Sequence, residues 1–482
     1  MAWALALAVT STLVSPPAQA LEFSPCALTQ TSGDGNLHAD CAQWSVPLDR
    51  SAPDGEQIEL FVARLNSTAL EPAKDALTII NGGPGGSSID LMVTYAAILR
   101  TFTRERDVIV VDQRGTGRSA PLTCEGLTDS EEEVDPEDTV PLTEACLADL
   151  SYNPVHFTTS VAVDDLEALR VALGYDQLSI YGVSYGTRVA MEFMRTYPDS
   201  TRSVIIDGVV PPQQLLGTKI AIHSQQTLDA VLANCAEDGA CNKAFPRLDA
   251  NLSTLRQTLT TAPVPLTLYH PITGERTELE LTYQHLMLWL RFSLYAPETS
   301  ALIPLVIHEA ATKQEYLPIA ANALRMLHNI TTALTYGMHN AVVCTEDAPF
   351  YDGVEIDYDA MDASYIGRQM FDVLKTMCSV WPQGTRNAEI KAPLESAVPT
   401  LVLSGELDPI TPPAWGDKVM PGLSRAKHLV APGQGHGVLA RGCIPRLALD
   451  FVEAADPDVV DAECLNFLSA WPFFVDRMGP PP

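Results

Sequence analysis

The chain has 482 residues, 46% hydrophobic and 19% charged, which describes a folded globular protein and excludes a disordered one. Sixty acidic against thirty basic residues give a net charge of −30, which excludes nucleic acid and an anionic membrane surface as docking partners. The length exceeds that of one ordinary domain, so a core carrying a large insertion is expected.

Residues 1–20 read as an export signal. Ala2 to Val14 is apolar and uncharged, and Ala18-Gln19-Ala20 is a cleavage signature. No Lys or Arg precedes the apolar run, and Pro16-Pro17 stops it short of a bilayer span. No later segment is apolar enough to span a membrane. The expected location is exported, either periplasmic or extracellular. Ten cysteines suit an oxidising compartment. Nearest-neighbour pairing joins Cys26 to Cys41, Cys124 to Cys146, Cys235 to Cys241, Cys344 to Cys378 and Cys443 to Cys464. Neither C-x-x-C nor H-E-x-x-H occurs, so no metal site is expected, and no cofactor.

In chain order, residues 37 to 67 read as β-structure, with Gln57 to Leu65 alternating as an edge strand does. Ala76-Leu77-Thr78-Ile79-Ile80 is a buried-strand run. It ends in Asn81-Gly82-Gly83-Pro84-Gly85-Gly86, a loop whose glycines permit close backbone approach to a ligand. Val108 to Val111 is the next strand and leads into Asp112-Gln113-Arg114-Gly115-Thr116-Gly117-Arg118-Ser119, with Asp112 and Arg114 expected to pair. Gly115 to Ala120 matches G-x-G-x-x-A, but Pro121 follows at once, so no helix opens there and a dinucleotide site is rejected. Residues 125 to 144, rich in Glu, Asp, Thr and Pro, read as an exposed excursion. Thr159 to Leu173 reads as a helix stopped by Gly174. Then comes Leu178 to Tyr181, Gly182-Val183-Ser184-Tyr185-Gly186, and a second helix. Strand, G-x-S-x-G, helix is the context of a nucleophile elbow. Ser203 to Val209 is a further buried strand, and the alternation of strand and helix marks a parallel α/β sheet.

The alternation stops at Pro211-Pro212. Up to about 398 the chain is helix-rich and carries no strand of the buried kind, which reads as a helical cap inserted between sheet strands. It resumes at Pro399 to Ser404. The expected divisions are 1–20 signal, 21–212 first part of the core, 213–398 cap and 399–482 second part of the core.

A serine hydroxyl needs a base, and the base needs an orienting carboxylate. Asp408 follows the first strand after the cap, and His436 sits between Gly435 and Gly437 after the next strand, giving the order Ser, Asp, His. Glu406 and His428 are the rivals; Glu406 lacks the fixed Pro-rich turn around Asp408, and His428 lies inside a strand. Ser184 is the expected nucleophile, His436 the base and Asp408 its orienter. The Gly83 and Tyr185 N–H groups are the expected oxyanion donors.

With the Gly82-Gly83-Pro84-Gly85 loop, the Asp112-to-Ser119 run, the elbow, the Asp408 turn and the His436 loop in place, the chain resembles secreted α/β-hydrolases of the tripeptidyl aminopeptidase and proline iminopeptidase group. Many relatives begin the glycine loop with His, where this chain has Asn81. The resemblance implies an α/β-hydrolase fold with a mainly parallel sheet. It implies a serine peptidase that releases N-terminal residues or short peptides from substrates with a free N-terminus, without an obligate protein partner. It also implies an anion for the substrate amine, and Val342-Val343-Cys344-Thr345-Glu346-Asp347 resembles an acidic motif of the group, with Glu346 first and Asp347 second. A carboxylic ester hydrolase with the same triad is the alternative. A non-catalytic binding protein on the same fold is a third reading, disfavoured by the complete set of Ser, Asp and His.

Overall fold

A computed structural model describes residues 21–30, 35–124 and 137–480. The export-signal stretch, and the acidic excursion from 125 to 136, lie outside the described residues.

Among the described residues nine strands form one sheet. They are β1 (Ser24–Thr29), β2 (Asn36–Pro47), β3 (Gln57–Leu65), β4 (Ala76–Ile80), β5 (Asp107–Val111), β6 (Leu178–Val183), β7 (Thr201–Asp207), β10 (Thr400–Gly405) and β11 (Ala426–Ala431). Their order is β1-β2-β3-β5-β4-β6-β7-β10-β11. The pairs from β1 through β3 to β5 are antiparallel, and every pair from β5 to β11 is parallel. The central runs are almost wholly buried and mostly apolar because both faces are covered. Ile80, Val111, Ile180 and Ile206 face the helices Thr159–Leu173 and Tyr185–Thr196, where Leu166, Val189 and Phe193 meet them. Ile79, Val110, Tyr181 and Ile205 face the opposite layer, with Met92 and Phe451. Neighbours in sequence fall on opposite faces, as the period of two requires.

Three local expectations are corrected. β3 is not an edge strand: it lies between β2 and β5, and β1 and β11 are the edges. Its alternation reflects partial cover of one face, not an open side. Asp112 and Arg114 do not pair. Arg114 is fully buried and bonds Asp165 at 2.6 and 2.9 Å, because the Thr159–Leu173 helix brings that carboxylate under the strand end. Asp112 instead accepts from the Ser87 hydroxyl and from the Ile89 and Arg118 N–H groups. Finally, residues 139–149, within and beyond the expected excursion, are helical.

Between β7 and β10 the chain builds a helical layer with its own apolar cluster, including Leu228, Leu290, Ile307 and Ala320. This insertion also contains an antiparallel hairpin of β8 (Val264–Tyr269) and β9 (Arg276–Leu281). It touches the sheet at the carboxyl ends of the strands. Thr335 N–H donates to Gly85 O at 3.0 Å, and His436 N–H donates to Tyr295 O at 2.9 Å. All ten cysteines form disulfides, in the nearest-neighbour pairs. Among the described residues no helix is long and apolar enough to cross a membrane, and no His, Cys, Asp and Glu group is arranged to hold a metal ion.

Candidate active site

β6 turns into its helix at Ser184, whose backbone sits at φ 57° and ψ −125°. A non-glycine residue there is strained, and the surroundings hold it. The flanking glycines explain how the turn closes. A Cβ on Gly182 meets Gly186 O at 2.3 Å, and one on Gly186 meets Ile80 O at 2.3 Å. The turn is fixed to the neighbouring strand, because Ser184 N–H donates to Asp207 O at 2.9 Å.

The glycine loop after β4 lies directly against the serine: a Cβ on Gly82 falls 2.6 Å from Ser184 Cβ. Asn81 holds the loop from inside. Its Oδ1 accepts the Gly82 N–H at 2.8 Å and its amide donates to Ser87 O at 2.8 Å. Gly83 follows at φ 117°. Tyr185 is the first residue of the elbow helix, a position whose N–H has no intrahelical acceptor. Gly83 and Tyr185 therefore flank Ser184 from the loop and the helix.

Asp408 lies beyond β10 and is 2% exposed. Its Oδ1 accepts from the Ile410 and Thr411 N–H groups at 2.9 and 2.8 Å. Its Oδ2 takes the Thr411 hydroxyl at 2.7 Å and His436 Nδ1 at 2.8 Å. A carboxylate accepts only, so Nδ1 carries the proton and Nε2 keeps its lone pair. Burial pulls His436 down, yet the Asp408 charge and hydrogen bond outweigh it and hold the ring above its ordinary value. For Asp408, burial pushes upward and is outweighed by His436 and the Thr411 bonds, so its carboxyl stays below the usual range.

Asp207, at the end of β7, joins the serine side to the histidine side. Its carbonyl takes Ser184 N–H, and its carboxylate takes the Val438 and Leu439 N–H groups, two and three residues beyond His436. The Tyr181 hydroxyl completes the set at 3.0 Å. Burial raises this carboxyl to about 6, against those donors and His436. Gly208 next to it leaves room for the imidazole: a Cβ there comes 3.0 Å from His436 Cε1. The Tyr295 ring from the insertion stands edge-on to His436, centroids 5.3 Å apart. Composition and spacing do not single out Asp207, Thr411 or Tyr295. For Asp207 the available signal is its place at a strand's carboxyl end before a glycine.

The structure brings Ser184, Gly83, Tyr185, Asp408 and His436 to one end of the sheet. It does not bring Glu346 and Asp347 there as free anions. Both are 0% exposed. Glu346 accepts the Thr159 N–H at 2.7 Å and its hydroxyl at 2.8 Å, at the start of a helix. Thr159 Oγ1 in turn lies 2.6 Å from the Tyr185 hydroxyl. Asp347 pairs with Arg188 at 2.8 Å and Lys391 at 2.6 Å. Two adjacent carboxylates look like an anion site in sequence; here the cations and donors that satisfy them come from elsewhere in the chain. The rivals are also accounted for. Glu406 accepts the Gly433 N–H, and His428 lies between Ser404 and Asp417.

A mainly parallel sheet, a strained serine on a glycine-flanked turn and a buried Asp–His pair at the strand ends define the α/β-hydrolase fold, and this chain has that fold. The α/β-hydrolase-fold family matches residues 75–261, and the family described as TAP-like protein matches residues 363–464. Among named relatives, the tripeptidyl aminopeptidase of Streptomyces coelicolor is 32% identical over 223 residues, covering 40% of this chain and 39% of that protein. The chain thus matches well under half the length of that relative. The serine protease Hip1 of Mycobacterium tuberculosis is 26% identical over 495 residues, covering 92% of this chain and 91% of that protein. The proline iminopeptidase of Aeromonas sobria is 30% identical over 179 residues, covering 36% and 38%.

Proposed function

We propose that the protein is an exported serine peptidase that releases N-terminal residues or short peptides through an acyl-enzyme on Ser184. The observation that carries this reading is the strained Ser184 packed against the glycine loop, with the Asp408–His436 pair beside it. His436 Nε2 takes the hydroxyl proton as Ser184 Oγ attacks the carbonyl carbon. The oxyanion is received by the Gly83 and Tyr185 N–H groups. His436 then gives the proton to the leaving amine, and water repeats the sequence on the ester. Asp408 keeps the ring in the tautomer this needs and stabilises the imidazolium. The mechanism requires no metal or cofactor. The peptide-bond preference is supported by relatives named tripeptidyl aminopeptidase, serine protease and proline iminopeptidase. Five disulfides support an oxidising compartment.

A carboxylic ester hydrolase on the same triad is the second reading. The internal use of Glu346 and Asp347 favours it, since neither carboxylate is free for a substrate amine. Aminoacyl and tripeptidyl aryl-amides with free and blocked N-termini, run beside a short aryl ester, separate the two. Cleavage of free-amine amides that disappears on blocking and in Ser184→Ala is expected. Ester cleavage without amide cleavage makes the protein an esterase.

A further inference from the structure

Buried guanidinium groups are costly unless a carboxylate meets them. Arg106, Arg114 and Arg188 are buried and each has one. Among the described residues four arginines keep an Nε buried without a hydrogen-bond acceptor: Arg64, Arg188, Arg195 and Arg291. The first three each have a carboxylate within ion-pair distance. Arg291 has no such carboxylate among the described residues. It donates a weak hydrogen bond to Met370 Sδ at 3.1 Å and also acts on the Tyr295 hydroxyl, through its charge and a side-chain hydrogen bond.

Two aromatic rings, Phe292 and Tyr295, connect Arg291 to His436. Arg291 belongs to the last turn of the Tyr283–Ser293 helix, with its guanidinium carbon 5.0 Å from the Phe292 ring centroid. Phe292 stacks on Tyr295 at 5.2 Å, and Tyr295 stands edge-on to His436 at 5.3 Å. Burial pushes the Tyr295, Tyr336 and Tyr365 hydroxyls upward, and at all three Arg291 is the leading opposing charge. Tyr365 Oη is itself buried without a partner. From Phe292 a cleft of about 330 Å³ runs past Met326 and Ile330 to Leu334, with Arg325 among its lining residues. Leu334 abuts the glycine loop, its Cδ2 lying 3.0 Å from a Cβ placed on Gly83. A cation without a carboxylate partner thus lies beside the Phe292–Tyr295 stack that leads to His436, and an apolar cleft runs from the same Phe292 to the glycine loop.

We propose that Arg291 recognises the substrate, binding a carboxylate carried on an acidic side chain or at a free C-terminus. The inference rests on Ser184 being the acyl-forming nucleophile, and it extends that reading by naming the charge of the substrate. It does not depend on whether the cleaved bond is an amide or an ester. The test uses matched pairs that differ only in a carboxylate. They are a butanoyl and a hemisuccinyl aryl ester, glutaminyl and glutamyl peptides, and peptides ending in an amide or a free acid.

Wild type, Arg291→Gln and Arg291→Lys are compared, with thermal unfolding as the check on folding. The carboxylate member of at least one pair is expected to be favoured about tenfold or more in kcat/KM, mainly through KM. Arg291→Gln is expected to remove that preference and Arg291→Lys to keep part of it, with the neutral member little changed. The pair that responds identifies the source of the carboxylate. Equal rates within every pair in wild type, or a preference that survives in Arg291→Gln, overturns the proposal. If Arg291→Gln does not fold, inhibition of wild-type ester hydrolysis by glutarate against glutaramide decides: equal inhibition overturns it. An Arg291-dependent preference on esters alone, without amide cleavage, sustains the carboxylate site and removes the peptidase reading.

Discussion

At His436, burial and the Asp408 charge pull in opposite directions, and the charge wins. The consequence for catalysis has a definite sign. A general base must be neutral, so kcat/KM rises with pH through the His436 pKa, which lies above the ordinary histidine value of 6.5. Asp408→Asn removes the charge that raised it. The acid limb then moves to lower pH, and kcat falls by about three to four orders of magnitude as the tautomer is lost. A pH–rate profile of the two proteins checks both effects; an unmoved limb removes His436 as the titrating base. The same pair acts on stability. His436 is raised, so its contribution is complete below the unfolded value and disappears as pH rises through the folded one. Asp408 is lowered, so its contribution is present above its unfolded value and disappears as pH falls through the folded one. The candidate residues Ser184, Asp408 and His436 are legible in sequence because each occupies a recognisable kind of strand end. The posts that hold them, Thr411 and Asp207, are not, because their role depends on which loops the sheet order makes neighbours.

The helix Tyr336–Glu346 links the insertion to the Ser184 turn. At its start Thr335 holds the glycine loop, and at its end Glu346 and Asp347 reach the Thr159 and elbow helices. Glu346→Ala leaves the Thr159 N–H and hydroxyl buried without this acceptor, at a cost of about 2–3 kcal/mol. Glu346→Gln keeps one acceptor oxygen and is expected to lose less than half as much. Chemical denaturation measures both. The ratio of free-amine to blocked-amine cleavage is expected to stay unchanged in Glu346→Gln; a collapse of that ratio in a protein of near-native stability restores Glu346 as the amine ligand. The sequence pattern placed these carboxylates together but carried no record of Arg188, Lys391 and Thr159, which lie 159, 44 and 187 positions away from their partners. The same limit hid the Arg114–Asp165 pair. The β8–β9 hairpin had a local signal, the alternation in Arg276-Thr277-Glu278-Leu279-Glu280-Leu281, but it is half exposed and unlike the buried runs that mark the parallel sheet.

On the scale of the whole molecule, covalent and non-covalent ties divide the work. No disulfide joins the insertion to the sheet: Cys235–Cys241 and Cys344–Cys378 lie within the insertion, and the other three lie outside it. The insertion is held over the strand ends by buried polar contacts, chiefly Asp347 with Arg188, Glu346 with Thr159 and Thr335 with Gly85. The disulfides therefore stabilise each part, while those contacts set where the parts meet. Four of the five bridges span 15 to 34 residues, and loops of that size are worth about 3–4 kcal/mol each in the chain-entropy account. Their sum is comparable to the whole stability of an ordinary domain, about 5–15 kcal/mol. Reduction and alkylation of all ten thiols is therefore expected to leave the protein unfolded near 37 °C, with Ser184 labelling by a phosphonate lost in step with the circular-dichroism signal. Cleaving Cys344–Cys378 alone, as a double Ser variant, is expected to lower the melting temperature while leaving the Ser184 labelling rate of the folded protein within about twofold, because Asp347 and Glu346 still seat the helix. A labelling rate that falls tenfold in a protein still folded at the assay temperature means that this bridge, and not the buried charge cluster, positions the catalytic turn.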